Sequence, residues 1–127
     1  MKLEDIHALV VEDNAQTTRL IRMMLQDMHV ADIITAKDGV EALELLNDED
    51  VKVDIVLCDW RMPRMTGLDL LKKVRGDGSE IPFMMVTANA DIESIRTAAS
   101  SGVTSYIAKP FSPHQLQSKL EAMIEKM

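Results

Sequence analysis

Apolar residues along this chain follow two alternating patterns: short unbroken runs, and longer stretches where they recur every three or four positions. A short run bounded by turn residues reads as a strand buried on both faces, and the longer spacing reads as one face of a helix. The first run, Ile6 to Val11, ends in Glu12 and Asp13. Asn14 then offers a helix cap, followed by a stripe of Leu20, Ile21, Met24, Leu25 and Met28. Ile33 to Ala36 predicts a second strand. Asp38 and Glu41 have capping-box spacing and open a helix with Val40 and Leu43 inward, fading in Asn47-Asp48-Glu49-Asp50. The third run, Ile55 to Cys58, ends abruptly in Asp59; Pro63 cannot continue it, so the chain leaves the sheet there. Leu68, Leu71 and Val74 mark a short helix stopped by Gly76-Asp77-Gly78. Ile81 to Val86 predicts a fourth strand, ending at Thr87. A helix from Asp91 to Ser101 places Ile92, Ile95 and Ala98 inward, with Gly102 as its stop. Thr104 to Ala108 predicts the fifth strand, ending at Lys109-Pro110. The last helix has a full start signal: Ser112 as N-cap, Pro113 in first place, Gln115 in third. Leu116, Leu120, Met123 and Met127 form its stripe.

Five strands alternating with five helices imply a parallel sheet covered on both faces by right-handed crossovers, a doubly wound α/β fold. Composition refines this mainly by exclusion. At 127 residues, 46% apolar and 28% charged, the chain reads as one globular domain over 1–127, with no linker to a second. A net charge of -7 argues against nucleic acid or an anionic membrane as the main partner. No apolar run approaches the ~18 residues of a membrane span, and the first residues do not read as a signal peptide, so none is expected. The one cysteine, Cys58, lies inside an apolar run and reads as a small hydrophobe. Without an intrachain disulfide the chain suits a reducing cytoplasm. The three histidines (His7, His29, His114) are scattered, and the ten methionines read as core filling.

The residues ending the strands carry the candidate chemistry. In a parallel sheet these ends share one edge, where α/β domains bind ligands. Here that edge receives Glu12, Asp13, Asp59, Thr87 and Lys109. Each alone is a weak signal, since an acid pair also suits a helix start and a strand-end Thr or Lys is commonly structural. Their regularity across four strands is the informative feature. Three converging carboxylates repel one another, which a divalent cation relieves. Oxygen ligands without His or Cys select Mg²⁺, Ca²⁺ or Mn²⁺ over zinc, and a site with room for water and phosphate suits Mg²⁺ best. With Lys109 the pocket balances to neutral and can accept a phosphoryl group, held by the metal, Lys109 and Thr87. Carboxylates form acyl phosphates, and Asp59, on a central strand, is the expected nucleophile.

Glu12-Asp13, Asp59 with Met62-Pro63 and Met65-x-Gly67, Thr87-Ala88, and Tyr106-x-x-Lys109-Pro110-Phe111 together resemble the receiver domains of two-component response regulators, over essentially the whole chain. The likeness is greatest to single-domain chemotaxis receivers of the CheY type. It implies a flavodoxin-like five-stranded sheet in the order 2-1-3-4-5. It further implies phosphorylation of Asp59 by a histidine kinase. Mg²⁺ would be held by Asp13, Asp59 and the Arg61 backbone carbonyl, with Glu12 acting through water. Lys109, joined to Pro110 by a cis peptide, would contact the phosphoryl group. Thr87 and Tyr106 would be the switch residues, altering the surface of the fourth helix, fifth strand and fifth helix. Arg61 and Asn89 occupy positions that tune phosphoryl lifetime. The chain departs from the family pattern at Glu12, where Asp is more usual, and at Thr66, where Asp is usual.

The expected function is therefore a signalling switch, monomeric and without an output domain, whose partners are the kinase and a flagellar motor switch protein or a phosphatase. A phosphorelay shuttle and a standalone regulator of another pathway are alternatives. A different class, a Mg²⁺-dependent phosphatase working through an aspartyl phosphate, needs a second Asp two residues after the nucleophile. Arg61 stands there and is no general acid at neutral pH, so no turnover enzyme is expected.

Overall fold

A computed structural model describes residues 1–88 and 91–127. Five strands, β1 (His7–Val11), β2 (Asp32–Ala36), β3 (Ile55–Asp59), β4 (Phe83–Thr87) and β5 (Ser105–Ala108), pair in parallel in the order β2-β1-β3-β4-β5. Between and after them lie α1 (Ala15–Asp27), α2 (Gly39–Leu46), α3 (Gly67–Gly76), α4 (Ile92–Ser100) and α5 (Pro113–Glu125). A 3₁₀ turn over Leu3–Asp5 precedes β1.

The strands are unbroken apolar runs because both faces are covered. Alternate side chains point to opposite sides. Ala8, Val10, Ile55, Leu57, Met84 and Val86 meet α1 and α5 through Ile21, Leu25, Leu116 and Leu120. Leu9, Val11, Val56, Cys58, Phe83 and Met85 meet α2 and α3 through Ala42, Leu70, Leu71 and Val74. Every residue of β3 and β4 is buried. Parallel pairing sets Asp59 opposite Val86 and Thr87 opposite Ala108, so the strand ends fall in line along one edge.

Helix starts follow the capping signals. Asn14 accepts the Thr17 N–H, Asp38 the Glu41 N–H and Asp91 the Ser94 N–H. Thr66 and Ser112 form reciprocal capping boxes with Asp69 and Gln115. Thr66, where the resembled family usually has Asp, thus remains a competent cap. At the other end of the sheet Arg75 of α3 donates to the carbonyls of Gly102 (2.9 Å) and Ser79 (3.0 Å), tying α3 to the turn between α4 and β5. Gly102 takes φ +92° there.

Several expected inward residues lie elsewhere. Leu20 is exposed while Ile21, Met24, Leu25 and Met28 are buried. In α2, which packs on both α3 and the sheet, the buried side chain is Ala42, with Val40 and Leu43 half-buried. In α4 only Ala98 is buried; Ile95 is half-buried and Ile92, in the first turn, is 70% exposed. Ile124 replaces Met127 in the α5 stripe, since the helix ends at Glu125.

Candidate functional site

The residues that end β1, β3, β4 and β5 build the site, because a parallel sheet delivers them to one edge. Glu12 follows β1 directly and is buried, its N–H donating to the Ala36 carbonyl at 3.0 Å. Asp13, next in the chain, is exposed. Asp59 is the last residue of β3 and is 9% exposed. One carboxylate oxygen from each of these three lies within 4.8 Å of the others. Lys109, just past β5, donates from Nζ to Glu12 Oε2 at 3.2 Å and to Asp59 Oδ1 at 3.4 Å. Its peptide bond to Pro110 is cis.

Burial pushes the Glu12 carboxyl above its ordinary pKa, and the nearby Asp59 charge pushes it further; Lys109 and the Asn14 N–H (3.2 Å) pull the other way without prevailing. Three carboxyl groups thus face one ammonium at this edge. Its donors are hard oxygens with no imidazole among them, and the adjacent Cys58 thiol is fully buried, its pKa raised well above the usual by desolvation. Such a set fits a hard divalent cation.

The remaining expected residues are less tightly gathered. Thr87 is buried at the end of β4, and its carbonyl accepts the Lys109 N–H at 2.8 Å. Arg61 lies in the loop leaving β3, with an exposed side chain. Tyr106 sits in mid-strand opposite Met85, half-buried, with Lys119 Nζ 5.0 Å from its ring centroid. Asn89 lies outside the described residues.

The loop from Trp60 to Gly67 closes on itself. Gly67 donates its N–H to the Trp60 carbonyl at 2.8 Å, and Trp60 donates its own to Val86 at 3.1 Å. A Cβ on Gly67 would stand 2.3 Å from the Asp59 main-chain oxygen, so only glycine permits this approach. At the loop's tip Arg64, with φ +66°, pairs through Nη2 with the carboxylate of Asp38. Sequence spacing marked Asp38 only as a helix cap and gave no sign of Arg64: the partners are 26 residues apart.

Comparison with known proteins agrees with this geometry. The response regulator receiver domain family matches residues 8–121. Chemotaxis protein CheY1 of Helicobacter pylori is 42% identical over 118 residues, covering 91% of this chain and 94% of that protein. A CheY homolog of Campylobacter jejuni is 42% identical over 119 residues, covering 91% and 90%. Among solved structures, the receiver domain of Francisella response regulator 1452 superposes with a TM-score of 0.88 at 28% identity, covering 96% of this chain and 98% of that one. CheY4 of Vibrio cholerae superposes with a TM-score of 0.84 at 29% identity, covering 94% and 98%. The doubly wound sheet, the acids at its carboxyl edge and these likenesses agree: the chain belongs to the response regulator receiver domain family.

Proposed function

We propose that this chain is a phosphorylation-driven signalling switch that takes a phosphoryl group on Asp59 from a histidine kinase. The observation that carries the reading is the Glu12, Asp13 and Asp59 cluster with Lys109 reaching both Glu12 and Asp59. In the step, a carboxylate oxygen of Asp59 attacks the phosphorus of a phosphohistidine; the O–P bond forms, the N–P bond breaks with its electron pair returning to the ring nitrogen, and the histidine leaves as neutral imidazole, its proton being the one already on the other ring nitrogen. Asp13, Asp59 and the Arg61 carbonyl, with Glu12 acting through water, would hold Mg²⁺, which would supply positive charge against the phosphoryl oxygens. Lys109 adds its ammonium to the same oxygens. The Thr87 hydroxyl turns toward the new group, and Tyr106 moves inward behind it. Phosphate thereby favours one of two existing forms by differential contacts, and the surface of α4, β5 and α5 changes its affinity.

The names of the curated relatives support chemotaxis as the pathway. The further partner is then a flagellar motor switch protein or a phosphatase. On this reading the chain works as a monomer in the cytoplasm. It is not a turnover phosphatase, since Arg61 stands where such an enzyme needs an acid.

The test is Trp60 fluorescence and intact mass. Mg²⁺ is expected to change the emission, and acetyl phosphate to change it again with a gain of one phosphoryl group. Asp59→Asn should abolish the mass gain. No Mg²⁺ response and no phosphoryl gain in the parent chain would reject the switch, and release of phosphate from a monoester over many turnovers would favour the phosphatase.

A further inference from the structure

Asp38 and Arg64 belong to no expected part of the site, yet they join its two halves. Asp38 follows β2, its side chain is 5% exposed, and its Oδ1 accepts the Glu41 N–H at 2.9 Å. It is anchored in the same frame as Glu12, whose N–H donates to Ala36 at the end of β2. Arg64 stands at the tip of the loop that carries Arg61 away from Asp59. The neighbouring Met65 packs on Gly39, where even a Cβ would meet its side chain at 2.7–2.9 Å. The loop is thus pinned twice, at its neck by Gly67 on Trp60 and at its tip by Arg64 and Met65 on the start of α2.

We propose that the Arg64–Asp38 ion pair is a latch that positions the loop between Asp59 and Gly67, and through it the Arg61 carbonyl, relative to Glu12 and Asp13. Both are positioning residues; neither touches the cation or the phosphoryl group. The proposal deepens the reading of the site given above and rests on it for the metal readout. Arg64 is 59% exposed on its side chain, so solvent screens the pair and its effect on global stability is small. Its effect on a weak site with few protein ligands is larger, because residues that orient ligands set affinity by about tenfold or more. The φ of +66° at Arg64 is a conformation that ordinary side chains rarely adopt. That the chain holds an arginine there accords with a role for the guanidinium.

The test uses the full chain with Asp38→Asn, Arg64→Gly and the double variant. Asn caps a helix as well as Asp, so Asp38→Asn removes the charge and keeps the α2 start. Glycine suits the left-handed backbone, so Arg64→Gly removes the guanidinium without adding strain. Each single variant is expected to weaken Mg²⁺ by about tenfold in a Trp60 fluorescence titration. The double variant should lose no more than either single one, because the two act as a pair. Melting temperatures should stay within about 3 °C of the parent. Hydrogen exchange of the 60–67 amides, measured without metal, should be faster in all three variants. Unchanged exchange overturns the latch whether or not the parent binds Mg²⁺. Faster exchange with Mg²⁺ affinity unchanged overturns the link to the site. Failure of the parent to bind Mg²⁺ overturns the reading of the site and leaves the exchange result to decide the latch.

Discussion

Gly67→Ala tests the account of the loop behind Asp59. A methyl group on Gly67 would lie 2.3 Å from the Asp59 carbonyl oxygen and 3.0 Å from both the Trp60 Cα and the Met85 sulfur. The sulfur can swing aside; the other two are main chain. Ordinary contact begins near 3.4 Å, so the backbone must part by more than 1 Å. It does so either by bending the end of β3 or by drawing Gly67 away, which breaks its 2.8 Å hydrogen bond to Trp60. Overpacking costs about 2 kcal/mol and the hydrogen bond about 1, giving a loss of about 3 kcal/mol. Helix propensity returns little, because Gly67 is the first residue of α3. Gly76, the last residue of the same helix, is the control: its Cβ would meet nothing within 4 Å, and alanine there stabilises by up to about 1 kcal/mol. In urea denaturation at pH 7, with a slope near 2 kcal/mol/M, the Gly67→Ala midpoint should fall by about 1.5 M and the Gly76→Ala midpoint should rise slightly. A Gly67→Ala midpoint within about 0.3 M of the parent would refute the steric argument.

Other expectations concern charge and capping. Because the folded-state pKa of Glu12 lies above its ordinary 4.5, its ionisation favours the unfolded chain. The stability it contributes is complete below the ordinary value and is lost as pH rises through the raised one. Without metal, Glu12→Gln should therefore be more stable than the parent at pH 7, and the gain should vanish below about pH 4; equal curves at both pH values would contradict this. Arg61→Ala should shorten the phosphoryl lifetime on Asp59 by about threefold, the worth of one exposed charge contact, as followed by intact mass after donor removal; an unchanged decay assigns Arg61 no part in shielding the group. Ser112→Ala removes the oxygen that accepts the Gln115 N–H at 3.1 Å and should cost about 1 kcal/mol, or about 4 °C in melting temperature.

The sequence disclosed what depends on neighbours in the chain. Ser112, Pro113 and Gln115 announced α5 and form the cap they implied. Apolar runs ending in acid, threonine or lysine located the strand ends, because a parallel sheet turns sequence order into a shared edge. What depends on the depth of cover was less legible. Ile92 has the right spacing to face inward but lies in the first turn of α4 and is 70% exposed. Val40 and Leu43 have inward spacing but are only half-buried, and the small Ala42 is the buried side chain of α2. The Arg64–Asp38 pair joins separate loops, and no local pattern encodes it. Gly67 was visible as a motif residue, but its reason, the Asp59 carbonyl against its Cα, exists only in three dimensions.

Arg75 fixes the C-terminal end of α4 by holding the Gly102 carbonyl, and the only buried side chain of that helix, Ala98, lies near the same end. Mechanically α4 is a lever with its pivot at one guanidinium. Its nine residues span about 13 Å, so a tilt of about 5° about that pivot carries Ile92 through about 1 Å while Gly102 stays in place. The long arm ends in an exposed aliphatic side chain close in sequence to Thr87 at the end of β4. A tilt of that size would show at the surface chiefly as displacement of Ile92, the side chain farthest from the Arg75 contact.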